Sequence, residues 1–289
     1  MSIMEKRKVK RVVSIQDISC FGKCSLTVAI PVMSVMEIET AVIPTAVLST
    51  HTGSGFEGYT YHDLSDDILP IAEHWKKYNL KFDAVCTGYL GSIDQINIMK
   101  KFFEIFGKDD TVIFVDPVMG DNGKMYAGFT MEFVEKMKGL CACADVITPN
   151  ITEASLLLGD EYKDKGYNKE DIEKVLKRLA NLGAKKIILT GICFSQNEQG
   201  TAFYDSTNGS MGFYMTENIP GIFHGTGDLF SAAAAGMLVN GGSIESACKT
   251  AADFVVESIK ATLPEKEKYW YGVSFEKALP MLIERVKNI

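Results

Sequence analysis

Short apolar runs alternate along the chain with segments whose apolar residues recur at helical spacing. Six runs rich in β-branched residues predict buried strands at residues 9–15, 40–48, 82–87, 111–115, 144–148 and 186–190. Helical periodicity predicts helices at 26–36, 65–78, 93–106, 130–138 and 169–182. This alternation predicts an α/β fold with a mostly parallel central sheet and helices on both of its faces.

The pattern changes after residue 190. Two β-rich segments, 200–204 and 212–215, flank the turn-forming stretch 205–210, and Asn208-Gly209 within it favours a tight turn, so we expect a late β-hairpin. Helical segments follow at 227–239, 243–260 and 275–286. No internal repeat or low-complexity linker divides the chain, and we therefore expect one domain over residues 1–289.

Composition excludes several classes of protein. Hydrophobic residues make up 46% and charged residues 23%, as in folded proteins, and the net charge of −7 disfavours broad binding to nucleic acid. No apolar run has the 18 or so residues that a membrane span requires. The basic segment 5–11 leads into the first predicted strand without the apolar core of a secretory signal. We expect no nucleic-acid partner and no membrane association.

The seven cysteines favour a reducing compartment. Cys20-x3-Cys24 and Cys141-x-Cys143 lack the C-x-x-C spacing of redox and zinc sites. Free cysteines usually behave as small buried apolar residues. We therefore expect a cytoplasmic protein.

A glycine-flanked turn opens directly into a helix of small residues at 224–236. Gly225, Thr226 and Gly227 place free amides at the helix start, where the helix dipole also favours an anion such as phosphate. Asp228 can act as a base beside that anion. The simpler interpretation is an ordinary acidic residue in a first helical turn.

Two further predicted strands end in loops with oxygen ligands. The strand 111–115 leads to Asp116 and Asp121, whose carboxylates suit magnesium with substrate phosphates, although Asp-Pro turns are commonly structural. In the next loop Asn150 and Glu153 have the spacing of a capping box, which is the structural alternative there. Ligands bind at the carboxyl ends of strands in such sheets, so chemistry is expected in these loops.

Several common sites are absent from the sequence. There is no GxxxxGK[ST] phosphate loop, no HExxH zinc motif and no GxSxG nucleophile motif. Gly53-x-Gly55-x-x-Gly58 has dinucleotide-motif spacing but starts no periodic helix, and we interpret it as a flexible loop.

Taken together, the motifs resemble the ribokinase-like superfamily of small-molecule kinases and, within it, the pyridoxal kinases. The resemblance covers about residues 10–263. It rests on SIQD (14–17), STHTG (49–53), CTGYLG (86–91), VDPVMGD (115–121), ITPNITEASLL (147–157) and HGTGDLF (224–230).

The resemblance implies a three-layer α/β/α kinase that transfers the γ-phosphoryl group of Mg-ATP to the 5′-hydroxymethyl group of pyridoxal, pyridoxine or pyridoxamine. Asp228 would be the base, with Gly225, Thr226 and Gly227 holding the transferring group. The implied ATP and phosphate residues are Asp116, Thr148, Glu153, Thr190, Gly191 and the cover residue Tyr126. The implied vitamin residues are Asp17, Thr52, Gly53 and Tyr89, and Asp121 with Glu153 would organise Mg²⁺. A monovalent cation, K⁺ or Na⁺, and a homodimer are also implied.

Asp17 departs from the family pattern, which has Ser at this position. A carboxylate there would prefer a protonated ring nitrogen or amine, so we expect a relative gain for pyridoxamine or pyridoxine over pyridoxal. Pairing of Asp17 with a lysine such as Lys23 is the structural alternative.

Two other functions remain open. A hydroxymethylpyrimidine kinase of the same superfamily would also phosphorylate a ring hydroxymethyl group, although the N-terminal segment lacks the expected glycine-rich stretch and TGYLG favours the vitamin B6 group. A catalytically silent vitamin or nucleotide carrier is disfavoured, because Asp228 and the loop carboxylates are all present.

Overall fold

The structure is a computed structural model that describes residues 9–53, 55–108 and 110–289. The strands are β1 Lys10–Phe21, β2 Ile38–Thr50, β3 Tyr61–Asp63, β4 Ala84–Thr87, β5 Val112–Val115, β6 Gly120–Asp121, β7 Lys124–Met125, β8 Val146–Ile147, β9 Lys186–Ser195, β10 Glu198–Asp205 and β11 Ser210–Glu217. The α-helices are α1 Leu26–Val35, α2 Ser65–Lys77, α3 Ile93–Phe106, α4 Met131–Cys141, α5 Ile151–Leu158, α6 Lys169–Ala180, α7 Thr226–Val239, α8 Ile244–Thr262 and α9 Leu279–Lys287. Most of the basic segment 5–11 lies outside the described residues.

Nine of these strands form one sheet in the order β11-β10-β9-β8-β5-β4-β1-β2-β3. The strands from β2 through β1, β4, β5 and β8 to β9 are parallel, and antiparallel pairs occur only towards its two ends. The predicted α/β class, the mostly parallel sheet and the late hairpin β10–β11 are confirmed. Because β2 and β4 lie on opposite sides of β1, the strand order reverses there, which is where such sheets bind ligands.

A hydrophobic core lies on each face of the sheet. On one face, α1, α7 and α8 pack against strand residues such as Val12. On the other face, α2 to α6 pack against the strand residues that point the opposite way, such as Val13. Strands buried on both faces appear in sequence as continuous apolar runs, which explains why the periodicity predicted them. None of the helices in the described ranges combines the length and hydropathy needed to span a bilayer.

The structure differs from the predicted elements mainly where polar residues are buried. β1 was expected to end at residue 15 but continues to Phe21, because Gln16, Asp17 and Ser19 are buried while still in the strand. The register of β1 against β2 is irregular just after Gln16, which pairs with Pro44, a residue that has no N–H to donate.

The short strands β3, β6 and β7 were not predicted. The helix expected at 275–286 is interrupted, with a 3₁₀ turn at Phe275–Lys277 before α9.

Candidate active site

The loops that follow the parallel strands meet at the carboxyl edge of the sheet. The N–H of Asp116, after β5, donates to the Thr87 carbonyl at 3.0 Å, and the N–H of Thr148, after β8, donates to the Val115 carbonyl at 3.1 Å. Ser231 of α7 reaches the same edge and donates to Asp116. The structure therefore brings the predicted residues of β5, β8 and α7 together.

The turn before α7 has room for an anion. Gly225 has φ +80°, and an added Cβ would lie 1.8 Å from the Lys23 carbonyl oxygen, so both the backbone angle and the packing require glycine. A Cβ on Gly227 would meet no atom within 4 Å, which leaves open space beside the helix start. The Thr226 hydroxyl donates to the Phe223 carbonyl at 3.1 Å and is occupied locally. The backbone at the start of α7 thus faces a free volume, as phosphate binding requires.

The pKa values of Asp228 and Asp116 suit proton transfer near neutral pH. Burial, together with the charge of Asp17, raises the pKa of Asp228 to about 7, and the Ser25 N–H opposes that shift. Burial, followed by the charge of Asp228, raises the pKa of Asp116 to about 7 against a hydrogen bond from Ser231. A base whose pKa lies near the working pH is efficient in general base catalysis.

Ser231 was missed in the sequence analysis. Its hydroxyl donates to Asp116 Oδ2 at 2.5 Å and lies 3.3 Å from the Thr148 hydroxyl. Ser231 follows Asp228 by three residues, and residues at that spacing share one face of a helix. That spacing is the signal that could have identified it.

Glu153 links α5 to the loop after β5. Its Oε2 accepts from the Asn150 N–H at 2.8 Å, and its Oε1 accepts from the Met119 N–H at 3.1 Å. The capping box of Asn150 and Glu153 is therefore present, and the structural interpretation of this pair is confirmed. Burial and the charge of Asp116 raise the pKa of Glu153 well above its ordinary range.

Asp121 and Tyr126 lie on the open side of these carboxyl groups. The Asp121 oxygens accept from the N–H and the side-chain amide of Asn122, at 2.8 and 3.0 Å, and no hydrogen bond joins Asp121 to Glu153. Tyr126 is 42% exposed. Burial and the charges of Glu153 and Asp121, then those of Asp116 and Asp228, raise the pKa of its hydroxyl. Tyr126 therefore lies within electrostatic range of all four carboxyl groups.

The described residues contain no group of three or more His, Cys, Asp or Glu side chains that could hold a metal ion. Mg²⁺ commonly takes only one or two protein carboxylates and completes its shell with waters and phosphate oxygens. Asp121 fits that role because its carboxylate is exposed. Glu153 fits it less directly, because each of its oxygens already accepts a backbone N–H.

Thr190 and Gly191 lie on β9, two strands from Asp116. The Thr190 N–H donates to the Pro149 carbonyl at 3.0 Å. Gly191 has φ +73°, and an added Cβ would meet no atom within 4 Å. Two strand spacings place this part of the edge about 10 Å from the β5 loop. That distance would allow a nucleotide to lie between them.

Aromatic and histidine side chains form the other end of the site. The Tyr89 ring lies 5.9 Å from that of Phe129 at 29°. Burial, Tyr61 and Asp17 raise the pKa of Tyr89 to about 12. The Gly53 N–H donates to His51 Nδ1 at 3.0 Å, whereas Thr52 is exposed.

Loop 49–53 contacts the turn before α7. A Cβ added to Gly53 would lie 2.9 Å from the ring of His224, the residue that precedes Gly225. The imidazole rings of His51 and His224 are themselves 4.9 Å apart, centroid to centroid. The vitamin and phosphate ends predicted from sequence are therefore in direct contact here.

Asp17 is buried and forms no salt bridge with a lysine of the described residues. Its Oδ1 accepts the Ser25 hydroxyl at 2.6 Å and its Oδ2 accepts the Ser19 hydroxyl at 3.0 Å. Lys23 instead pairs with Glu276 at 2.8 Å, so the alternative that Asp17 pairs with Lys23 is wrong. Burial raises the pKa of Asp17, and the two serine hydroxyls oppose that shift.

Comparisons with known proteins agree with this geometry. Residues 32–271 match the family model described as phosphomethylpyrimidine kinase. A Bacteroides thetaiotaomicron protein crystallised with pyridoxal, and provisionally described as a phosphomethylpyrimidine kinase, is 36% identical with a TM-score of 0.90, covering 95% of this chain and 96% of that one. Pyridoxal kinase from Lactobacillus plantarum is 30% identical with a TM-score of 0.87, covering 97% and 99%.

A curated relative from Schizosaccharomyces pombe, provisionally described as a pyridoxal kinase, is 29% identical over 235 residues. The match covers 77% of this chain and 66% of that protein, so it spans about two thirds of the relative's length. The resemblance on which the sequence analysis relied is confirmed. The chain belongs to the phosphomethylpyrimidine kinase family and has the ribokinase-like fold of the pyridoxal kinases.

Proposed function

We propose that this protein is a vitamin B6 kinase that transfers the γ-phosphoryl group of ATP to the 5′-hydroxymethyl group of pyridoxal, pyridoxine and pyridoxamine. One observation carries the proposal. The carboxyl group of Asp228, with a pKa of about 7, lies in the first turn of α7, and that turn faces open space. The relatives named pyridoxal kinase, and the relative crystallised with pyridoxal, support the choice of substrate.

Asp228 accepts the proton of the substrate hydroxyl as the new O–P bond forms and the bond from the γ-phosphorus to ADP breaks. The amides of Gly225, Thr226 and Gly227 hold the charge of the group in transfer. Removing such a base or donor typically lowers the rate by ~10² to 10⁴.

Mg²⁺ bound with ATP would neutralise phosphate charge. Asp121 offers its exposed carboxylate to the ion or to its waters. Asp116 and Glu153 contribute negative charge from fixed positions, because Ser231 and two backbone amides hold their oxygens. Thr148 would lie beside the phosphates or a monovalent cation, K⁺ or Na⁺, and Thr190 with Gly191 would border the nucleotide.

Tyr126 and the vitamin residues would exclude water and hold the ring. Tyr126 covers the carboxyl groups, which suppresses ATP hydrolysis when the loop is closed. Tyr89 offers an aromatic face and a hydroxyl to a flat pyridine ring, and Thr52, Gly53 and Asp17 border the same end.

Hydroxymethylpyrimidine phosphorylation is the second candidate, favoured by the description of the matching family model. A panel of pyridoxal, pyridoxine, pyridoxamine and hydroxymethylpyrimidine, each with Mg-ATP, separates the two functions. We expect turnover of the B6 vitamers. If only hydroxymethylpyrimidine is phosphorylated, the protein has the second function instead.

The panel includes Asp228→Asn and a matched control, Asp94→Asn. Asp94 is also an acidic residue in the first turn of a helix, α3, but it is exposed. We expect Asp228→Asn to lose turnover and Asp94→Asn to retain it. Equal turnover in both variants would show that Asp228 is not the base.

We further propose that the protein acts in the cytoplasm as a homodimer of one-domain subunits. All seven cysteines lie in the described residues and are unpaired, which suits a reducing compartment.

A second subunit would cover three aromatic side chains near the edge strand β3. These side chains, which are between 42% and 52% exposed, are Phe21, Tyr59 and Tyr61. Light scattering after size-exclusion chromatography tests the dimer, and a monomer mass would refute it.

A further inference from the structure

Ser25, the residue before α1, has an unusual backbone conformation. Its φ is 50° and its ψ is −133°, a region that glycine enters readily and other residues avoid. Ser92 and Ser243, which precede α3 and α8, are extended and accept a helix N–H with their side chains in the ordinary way. Ser25 makes no such cap. The Ser25 hydroxyl therefore does not cap α1, and the backbone of Ser25 adopts a conformation that costs free energy.

Ser25 acts on two carboxyl groups. Its hydroxyl donates to Asp17 Oδ1 at 2.6 Å, and its backbone N–H lowers the pKa of Asp228. Ser25 itself is only 5% exposed. Burial and then the charges of Asp228 and Asp17 raise the pKa of the neighbouring Cys24 thiol, so both carboxylates act on this one loop.

The loop 22–25 is fixed from several sides. The Lys23 carbonyl occupies the position that a Cβ of Gly225 would need, and the Lys23 ammonium pairs with Glu276. The Thr27 hydroxyl donates to the Cys24 carbonyl at 2.7 Å. Strained conformations persist where surrounding contacts over-determine them, and they concentrate at functional sites.

The two carboxylates would otherwise repel each other. The charge of Asp17 raises the pKa of Asp228, which shows that they lie within electrostatic range. Asp228 lies at the phosphate end of the site, and Asp17 acts on Tyr89 at the vitamin end. A residue that interacts with both would therefore fix the position of the base relative to the substrate ring.

We propose that Ser25 is a positioning residue for phosphoryl transfer: from a strained backbone conformation it holds Asp17 through its hydroxyl, in a loop that packs against the turn before Asp228. The inference rests on the proposed function. A displacement of about 1 Å in a reacting group can cost about 100-fold in rate, so loss of the hydroxyl is expected to lower kcat.

Ser25→Ala and Ser25→Gly separate positioning from stability. Both variants lose the hydroxyl, but only glycine relieves the backbone strain, so Ser25→Gly is expected to melt at a higher temperature than Ser25→Ala. Both are nevertheless expected to lower kcat for the vitamer by about tenfold to 100-fold, with KM for ATP unchanged. Ser258→Ala is the matched control, because Ser258 is a buried serine whose hydroxyl donates to the Phe254 carbonyl within α8.

The outcomes distinguish the inference from the proposed function. If both Ser25 variants, measured per folded molecule, keep the kcat of the wild type, Ser25 has a structural role alone and the inference is overturned. A fall of kcat in Ser258→Ala as large as in the Ser25 variants would overturn it as well. Absence of vitamer turnover in the wild type would overturn the proposed function first, and the inference with it.

Discussion

The two ends of the site are built differently. At the phosphate end, Asp116 and Glu153 follow buried strands, and a serine of α7 or backbone amides hold their oxygens at 2.5 to 3.1 Å. At the vitamin end, Thr52 is exposed and Tyr89 packs against the aromatic Phe129. Fixed charges suit chemistry that is common to a whole family, whereas loops and aromatic faces suit a choice among substrates. Ser25 lies between the two ends, with its hydroxyl bound to Asp17.

Among variants that keep Asp228, the largest expected effect comes from Gly225→Ala, which closes the phosphate end. A methyl group there would meet the Lys23 carbonyl at a φ that disfavours alanine, so the turn must move and the amides with it. We expect kcat/KM for ATP to fall by about 100-fold or more. The control is Gly209→Ala, since Gly209 also has a positive φ, 76°, but lies in the β10–β11 turn with open space around it. Similar losses in both variants would contradict this account.

Ser231→Ala tests the support of Asp116 and should have a smaller effect. Loss of the 2.5 Å hydrogen bond removes the interaction that lowers the pKa of Asp116, so that pKa rises further. The acid limb of the pH profile of kcat should move to higher pH, and kcat at pH 7 should fall by about tenfold. Ser258→Ala again provides the control. An unchanged acid limb would show that Ser231 does not support Asp116.

Asp17→Ser changes the vitamin end and should alter selectivity more than rate. Asp17 is buried without a cationic partner in the salt bridges of the described residues, so its carboxylate can attract a protonated amine or ring nitrogen. Replacing it should lower kcat/KM for pyridoxamine or pyridoxine relative to pyridoxal by several-fold, about 1 kcal/mol. Kinetics for the three vitamers in both proteins measure this ratio. Equal ratios of kcat/KM in the two proteins would show that Asp17 does not contribute to substrate selection.

The smallest expected effect is on stability. The raised pKa values mean that the folded state binds more protons than the unfolded chain between about pH 4 and 7, so its stability falls as the pH rises through that range. Asp228→Asn removes a charge that is costly to bury and should raise the melting temperature at pH 8 by a few degrees, about 2–4 °C per kcal/mol. Thermal unfolding of both proteins at pH 5 and pH 8 measures this, and a melting temperature of Asp228→Asn at or below that of the wild type at pH 8 would contradict it.

The apolar periodicity predicted the parallel sheet because strands buried on both faces leave a strong local signal. β3, β6 and β7 are two or three residues long and leave almost none. The predicted vitamin and phosphate residues both lie at the carboxyl edge of the sheet, where loops that follow parallel strands are expected to bind ligands. Ser231 left one local signal, its spacing of three residues from Asp228, but its partner Asp116 is 115 residues away. Ser25 left none, because its role depends on its contact with Asp17 and on its effect on Asp228 in the folded chain. The assigned roles of the individual residues remain predictions.

The most direct test of the central claim, that Asp228 is a base whose pKa is raised to near neutral pH, is the pH dependence of kcat/KM for pyridoxal with saturating Mg-ATP. We expect an acid limb with an apparent pKa of about 7, which belongs to Asp228 and Asp116 together. The limb should move to lower pH in Asp17→Asn, because the charge that raises the pKa of Asp228 is then gone. A profile that is flat from pH 5 to 8, or a limb that Asp17→Asn leaves in place, would contradict it.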